Sequence, residues 1–320
     1  MKEEIASDMS TQEVAASGPG PHRLELPVMD GFSRAEFDAL YAGPCKPVVI
    51  RNAINEWPAL EKWNPEFFAR EFGDTEVRPS VGLPDTEVPY FSRDVDHRKP
   101  MTMKAFVERM DSGDRCYLDQ ASLLHYFEAL GKDFDFDTLN AKDIKAVSIW
   151  IGARTRSGLH YDMADNFFVQ LYGSKKAILA APEEARSLHL FKDQHTKSQV
   201  APQSPDLKAH PKFNNATVWE ATLDPGDVMF IPKAWWHYLA SKDRSVSLNC
   251  WFGVPLGPDY DVKMLLKNNP MALPRTVRDF VWHGVLRRPC KSRLYSPPPT
   301  GLMLYELLSS RVFPKRQKKA

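Results

Sequence analysis

His160 and Asp162 flank Tyr161 in the segment SGLHYDMADNFF, just before an apolar run that predicts a buried strand. If this segment is itself extended, alternate side chains point to one face, so the imidazole and the carboxylate lie together. A carboxylate buried without a partner is strongly unfavourable. The pair therefore needs a solvent-filled pocket, a mutual hydrogen bond or a bound cation.

A third candidate ligand, His237, lies in the later segment DPGDVMFIPKAWWHYLAS. Early and late strands of a jelly roll can lie side by side, so this histidine can join the first two side chains. Two histidines and one carboxylate form the facial triad of non-haem Fe(II) oxygenases, which leaves open positions on the metal. Taken alone, a His-x-Asp pair or a single late histidine more often consists of packed or hydrogen-bonded residues than of metal ligands. The combination and its order predict a metal centre of His160, Asp162 and His237.

Short β-rich runs with turn signals between them occupy residues 145–253 and predict the element that must position this centre. The runs are AVSIWIG, GLHYD, NFFVQLYG, KKAILAAP, TVWEATL, DVMFIP, WHYLAS and SVSLNCWFG. About eight strands in so short a stretch are typical of a jelly roll or cupin barrel, the double-stranded β-helix. A long polar loop, residues 183–215, interrupts them. We therefore predict a mainly β fold whose catalytic core spans residues 145–253.

Residues 21–144 predict an α/β region that packs on the barrel. Val48–Arg51 has the β-branched character of a strand, and Asn64 and Thr102 precede two helical patterns as N-caps. The acidic stretch GKDFDFDTLNAKDIK predicts only a linking segment. Residues 1–20 are rich in Ser, Gly and Pro and predict a disordered lead-in.

Residues 254–320 predict a helical C-terminal region. Its first helix carries an apolar stripe that consists of Leu273, Val277, Phe280, Val281 and Val285. Such a stripe can be buried on the flank of the barrel or against a second copy of the chain. Of these two alternatives we favour a homodimer.

The composition is that of an ordinary globular protein, with 43% hydrophobic and 26% charged residues in 320 and a formal net charge of +1. This charge balance argues against a large surface for duplex nucleic acid. The four cysteines are scattered and suit neither a disulfide framework nor a zinc knuckle. No apolar run approaches the ~20 residues of a membrane span, and the N-terminus lacks a signal-peptide pattern. We expect a cytoplasmic protein with no membrane partner. The seven other histidines are expected to be loop or surface residues.

Several segments together resemble the JmjC-type, cupin-fold 2-oxoglutarate dioxygenases. They are HYDMADNFFVQLYGSKKAIL, TKSQV, PDL, PKF, LDPGDVMFIPKAWWH and SLNCWFG. The resemblance covers residues 146–253 closely and extends loosely over PVVIRNAINEWP and the C-terminal helices, which resemble the dimerisation region of that family. The nearest branch contains factor-inhibiting-HIF-like asparaginyl hydroxylases and the tRNA wybutosine hydroxylase.

The resemblance implies the cofactors Fe(II), 2-oxoglutarate and O2, with Fe(II) on His160, Asp162 and His237. It implies that Lys175 pairs with the distal carboxylate of 2-oxoglutarate, since a dicarboxylate that enters a barrel needs a fixed cation at its far end. Without the resemblance, Lys175 reads as an exposed hairpin charge. Further residues that the resemblance assigns to the cosubstrate pocket are Tyr117, Ser157 (where relatives often have threonine), Asn166, Asn249 and Trp251.

Three functions remain open on this basis. The first is hydroxylation of a protein or peptide side chain with release of succinate and CO2, which the near-zero net charge favours. The second is hydroxylation of a modified tRNA base, aided by the basic C-terminal tail. The third is a non-catalytic cupin that binds a metal or a small acid. The presence of all three candidate metal ligands together with Lys175 argues against a site that has lost its activity.

Overall fold

The computed structural model describes residues 20–312 and contains two large β-sheets, a small two-stranded sheet and flanking helices. The predicted lead-in, apart from residue 20, and the basic tail at 313–320 lie outside the described residues. The strands are β1 (His22–Glu25), β2 (Val28–Asp30), β3 (Val48–Arg51), β4 (Glu76–Val77), β5 (Met101–Thr102), β6 (Cys116–Ser122), β7 (Ala146–Ala153), β8 (Asp165–Tyr172), β9 (Lys175–Ala180), β10 (Thr217–Leu223), β11 (Val228–Ile231), β12 (Trp236–Ala240) and β13 (Arg244–Phe252).

The larger sheet has seven strands in the order β2-β3-β11-β8-β13-β7-β6, and the smaller has four in the order β1-β10-β9-β12. Strands distant in sequence are neighbours in both sheets, as expected of a jelly roll. The core predicted at residues 145–253 supplies β7 to β13. The N-terminal region adds β2, β3 and β6 to the larger sheet and β1 to the smaller one. The β-rich core predicted from the sequence is therefore confirmed.

The central strands read as nearly continuous apolar runs because both of their faces are covered. In β8, residues 166–171 are all buried, and β11 is buried along its whole length. Phe167 of β8 stacks on Phe252 with 4.7 Å between ring centroids. This packing gives the sheet a rigid inner surface from which the polar side chains of the site project.

The N-terminal helices are α1 (Arg34–Phe37), α2 (Pro58–Lys62), α3 (Pro65–Glu71), α4 (Asp94–His97), α5 (Met103–Asp111) and α6 (Leu123–Tyr126). Helices α2, α3 and α6 contact the larger sheet, α5 packs on α3, and α4 has no buried residue. Both predicted caps are present: Asn64 accepts from the Phe67 amide at 2.8 Å, and Thr102 accepts from the Ala105 amide at 3.2 Å.

Two local predictions were wrong. GLHYD does not form a strand; His160 makes only isolated bridges, to Lys197 and to His237. The acidic stretch that starts near residue 131 is more than a linker, since Phe136 and Leu139 are buried in the main core. This part of the chain forms two short 3-10 helices, Glu128–Lys132 and Phe136–Leu139. The apolar side chains of such short helices are not spaced with the period of a strand or of an α-helix, so the sequence pattern did not reveal them.

The C-terminal region is helical, as predicted, with α7 (Pro258–Asn268), α8 (Leu273–Asp279) and α9 (Thr300–Val312). A π-helical segment, Phe280–Val285, continues α8, and Phe280 packs edge-on against Tyr305 of α9. None of the helices within residues 20–312 has the length and apolar character of a membrane crossing.

Candidate metal centre and cleft

His160 and His237 are held side by side by a pair of backbone hydrogen bonds. The amide of His160 donates to the His237 carbonyl at 3.1 Å, and the amide of His237 donates back at 2.6 Å. Their ring centroids are 4.3 Å apart. The early and late segments of the barrel thus meet where the sequence predicted, although through an isolated bridge rather than through two full strands.

Both imidazoles have a fixed orientation. Nδ1–H of His160 donates to the Gly158 carbonyl at 2.8 Å, and Nδ1–H of His237 donates to the Trp235 carbonyl at 3.0 Å. These bonds place the proton on Nδ1 and leave each Nε2 lone pair for a metal. Burial, the Lys197 cation and His237 hold the pKa of His160 well below its ordinary value. The neutral imidazole, which is the ligand form, therefore predominates at pH 7.

Asp162 completes the set. Its Oδ1 is 3.9 Å from Nε2 of His160, and its Oδ2 is 3.7 Å from Nε2 of His237. The Trp251 indole donates to Oδ2 at 2.9 Å and fixes the carboxylate. One ligand atom from each of the three residues lies within 4.8 Å of the others. Two imidazoles with free Nε2 atoms and one oriented carboxylate fit a divalent transition metal with open positions.

The triad opens into a cleft of about 460 Å³, within the usual size range of small-molecule sites. The predicted cosubstrate residues that line it, besides the triad, are Tyr117, Ser157, Asn166, Asn249 and Trp251. Asn249 donates to the Asn166 side chain at 3.2 Å and accepts from the Trp150 indole at 2.7 Å. The Ser157 hydroxyl accepts from the Leu239 amide at 3.0 Å. The amides and the hydroxyl are therefore fixed before any ligand enters.

Lys175 lies behind this lining. It is therefore not the exposed hairpin residue that its position in the sequence alone would suggest. Only 2% of its surface is accessible, and its ammonium is 3.5 Å from the Tyr117 hydroxyl. The nitrogen also lies 5.1 Å from the ring centre of Phe168, which lines the cleft. Burial lowers the pKa of Lys175 to about 7. Among the residues that the structure describes, no carboxylate forms an ion pair with this cation.

Sequence reasoning missed several residues of the cleft. Trp150 and Thr155 come from β7 and the turn that follows it, Tyr295 comes from the segment before α9, and Lys197 comes from the long polar loop. Trp150 lies on a strand, and the alternation of side chains along that strand could have identified it as a residue that faces the cleft. Tyr295 and Lys197 carry no such signal, because only tertiary packing brings their loops over the triad.

His195 lies in the long loop, as expected, but it is buried and hydrogen-bonds Thr300 at 2.8 Å through Nδ1. It therefore joins the long loop to the start of α9. His97 contacts the Ser92 hydroxyl at 3.0 Å. All four cysteines are free thiols, consistent with their scattered positions.

Comparison with known proteins places these features in a family. A sequence model described as the cupin-like domain matches residues 34–255. Lysine-specific demethylase 8 of Xenopus tropicalis is 32% identical over 238 residues, which cover 71% of this chain and 52% of that protein. Jumonji C domain-containing protein 5 of Drosophila melanogaster is 28% identical over 242 residues, or 71% of this chain and 60% of that protein.

A second group of relatives is matched over a larger part of its length. tRNA wybutosine-synthesizing protein 5 of Mus musculus is 28% identical over 277 residues, which cover 80% of this chain and 87% of that protein. In contrast, the chain spans between about half and three fifths of the length of the demethylase 8 and Jumonji C relatives. The extent of the domain match, together with the double-stranded β-helix and the triad, shows that this chain belongs to the cupin-like (JmjC) domain family.

Proposed function

We propose that this protein is an Fe(II)- and 2-oxoglutarate-dependent oxygenase that hydroxylates a side chain of a protein or peptide. The observation that carries the proposal is the triad of His160, Asp162 and His237, with both Nε2 atoms directed at an oriented carboxylate. When bound there, Fe(II) would supply oxidation by O2 coupled to conversion of 2-oxoglutarate into succinate and CO2.

The chain's own residues would bind and orient the reactants. His160, Asp162 and His237 would hold the metal, and the Trp251 indole would keep Asp162 in its ligating orientation. Lys175 and Tyr117 would take the distal carboxylate of 2-oxoglutarate, because they place a cation and a hydroxyl together in a buried position. Asn166, Asn249 and Ser157 would present fixed polar groups along the cosubstrate, and the apolar walls would exclude water.

Two observations favour a protein substrate. Several relatives that match the chain are named lysine-specific demethylases, a name that indicates a protein side chain as their substrate. In addition, three of the four arginines that line the cleft already have acidic partners: Arg98 pairs with Asp119, Arg115 with Asp85, and Arg156 with Asp85 and Glu87. Nucleic acid binding would call for several unpaired cations along the phosphates.

The tRNA-modifying relative, matched over 87% of its length, keeps RNA hydroxylation as the second candidate. It predicts RNA binding that weakens steeply as salt is raised. The third candidate, a non-catalytic cupin, predicts metal binding without any consumption of 2-oxoglutarate.

The experiment that tests the proposed activity begins without oxygen. Addition of Fe(II) and 2-oxoglutarate to the anaerobic protein should produce a weak visible charge-transfer band. Admission of air should then remove the band and release succinate. A protein that binds metal but forms neither band nor succinate would be the non-catalytic cupin.

The binding of 2-oxoglutarate should weaken as pH rises above 7. Burial lowers the pKa of Lys175 from 10.5 to about 7, so the free site loses its positive charge in this range. A dianion that requires the ammonium form must then bind together with a proton, and its Kd should rise by up to ~10-fold per pH unit. Calorimetric titrations between pH 6.5 and 8.5, in buffers of different ionisation enthalpy, would measure both the Kd and the proton uptake. A pH-independent Kd would show that Lys175 does not hold the dianion.

We also propose that the C-terminal region forms a homodimer. Leu273, Val277, Val281 and Val285 recur every four residues along α8 and its π-helical continuation, and each is 41–55% exposed. The predicted stripe thus faces solvent rather than the barrel, apart from Phe280. A self-complementary apolar stripe of this kind fits a second copy across a two-fold axis.

Light scattering should therefore give twice the chain mass of 36.5 kDa at micromolar concentration. The double substitution Val281→Glu and Val285→Glu should return it to the mass of one chain. Val95→Glu, at a 66% exposed position on α4, is the matched control and should leave the dimer intact. A wild-type protein with the mass of one chain would contradict the dimer.

A further inference from the structure

Lys197 is a second buried lysine in the cleft, and neither the triad nor the cosubstrate pocket uses it. It belongs to the long polar loop, where its backbone bridges to His160. Only 7% of its surface is accessible, yet it lines the cleft beside His160 and Asp162. No hydrogen bond or ion pair of its ammonium is found within residues 20–312.

An unpaired buried cation is costly unless a ligand compensates it. The carboxylate that acts on Lys197 is Asp162, and a divalent metal on the triad would take that carboxylate as a ligand. Among the residues described, no other acidic side chain would then be left to compensate Lys197.

Three of the four cleft arginines do not share this condition, because Arg98, Arg115 and Arg156 have their own carboxylates. This leaves Arg154 and Lys197 as cleft-lining cations without an ion pair among the described residues, and of these two only Lys197 is buried. A lysine or arginine side chain of a substrate would bring a further cation next to this one and would be repelled. A group with a single negative charge would instead accept a charge-assisted hydrogen bond from Lys197 in a position shielded from bulk water.

We infer that Lys197 is a substrate-recognition residue that binds a carboxylate of an acidic peptide, at or next to the residue that is oxidised. This inference rests on the proposed oxygenase function and names its substrate class. An acidic protein segment fits better than RNA, because one isolated cation suits one carboxylate, whereas a phosphate chain would need a row of them.

The test measures binding of fluorescent peptide pools with one fixed central residue and random flanks to the full chain loaded with Mn(II) and 2-oxoglutarate. Asp and Asn pools are the main comparison, since the two residues have the same shape and differ in charge. A hydrogen bond that involves a charged group is stronger than one between neutral groups, so the Asp pool should bind at least ~10-fold more tightly than the Asn pool. Lys and Arg pools should bind more weakly than either.

Lys197→Met should reduce the Asp-over-Asn preference to less than ~2-fold, and Lys197→Gln should repeat this result with a polar end group. Lys208→Met, at an exposed position in the same loop, is the matched control and should keep the preference. The melting temperature of Lys197→Met should equal or exceed that of the wild type, because the substitution removes an unpaired buried charge. A structural role for Lys197 would lower it.

Equal binding of the Asp and Asn pools, tighter binding of the Lys or Arg pool, or a preference retained in Lys197→Met would overturn the inference. So would a single-stranded RNA oligonucleotide that binds more tightly than every peptide pool and loses affinity in Lys197→Met. Succinate release by the wild type in air, without peptide, tests the oxygenase separately. Succinate release without an Asp preference would reject only the role of Lys197, and an Asp preference without succinate would reject only the oxygenase.

Discussion

Replacement of His237 with alanine is expected to abolish both metal binding and succinate formation. His237 is buried, its Nδ1–H donates to the Trp235 carbonyl, and its Nε2 faces the Asp162 carboxylate at 3.7 Å. Removal of a group that merely supports a ligand costs ~10–100-fold in metal affinity. Loss of a ligand itself should exceed this, and we expect a weakening of more than ~100-fold.

Mn(II) titration followed by electron paramagnetic resonance measures the affinity without relying on turnover. Trp251→Phe removes only the hydrogen bond to Oδ2 of Asp162 and should give the intermediate loss of ~10–100-fold. His125→Ala, at an exposed position on α6, is the control for loss of a histidine outside the cleft and should bind metal like the wild type. Normal Mn(II) affinity in His237→Ala would rule out the triad as the metal centre.

Replacement of Lys175 with methionine should remove 2-oxoglutarate binding while it leaves the fold intact. Methionine keeps most of the length of the aliphatic chain, and the rings of Tyr117 and Phe168 would still pack around it. Truncation of one partner of a buried charge pair costs ~2–5 kcal/mol, so the Kd for 2-oxoglutarate should rise at least ~30-fold. Direct calorimetry with Mn(II)-loaded protein would measure this.

The stability of the same variant provides a second readout. The ligand-free wild type buries an ammonium without a carboxylate partner, so Lys175→Met should have an equal or higher melting temperature. Lys176→Met is the matched control, because Lys176 is the next residue on β9 and forms a half-exposed ion pair with Glu220. It should leave the Kd unchanged. Lower stability of Lys175→Met together with an unaltered Kd would make Lys175 a structural residue.

Much of the fold follows from the sequence because local patterns and barrel architecture agree. The strand periods and turn residues between 145 and 253 predict a jelly roll, and the N-caps Asn64 and Thr102 define the starts of their helices. The order of His160, Asp162 and His237 within this pattern was sufficient to predict that they meet. In this case the residue types carry the information, since few environments other than a metal site bring two histidines and an aspartate together.

The resemblance to known oxygenases added residues that the pattern alone could not select. Lys175 reads as an exposed turn charge by its position after Gly173, and only the packed sheets place it behind Tyr117 and Phe168. Whether a lysine is buried depends on which strands cover it, and strand neighbours such as β9 and β12 are separated by more than fifty residues. No local sequence pattern specifies which of these distant strands pair.

The sequence by itself therefore determined the class of fold, and it predicted the candidate metal ligands and the region in which they lie. Only the tertiary structure decided the shape of the cleft and the charges left unpaired within it. Lys197 and Tyr295 come from segments without a regular period, and they reach the cleft because the long loop and the C-terminal segment pack against each other through Arg293 and Asp193. Substrate choice depends on these walls, since recognition rests on burial and on the balance of charge, which are properties of the assembled chain.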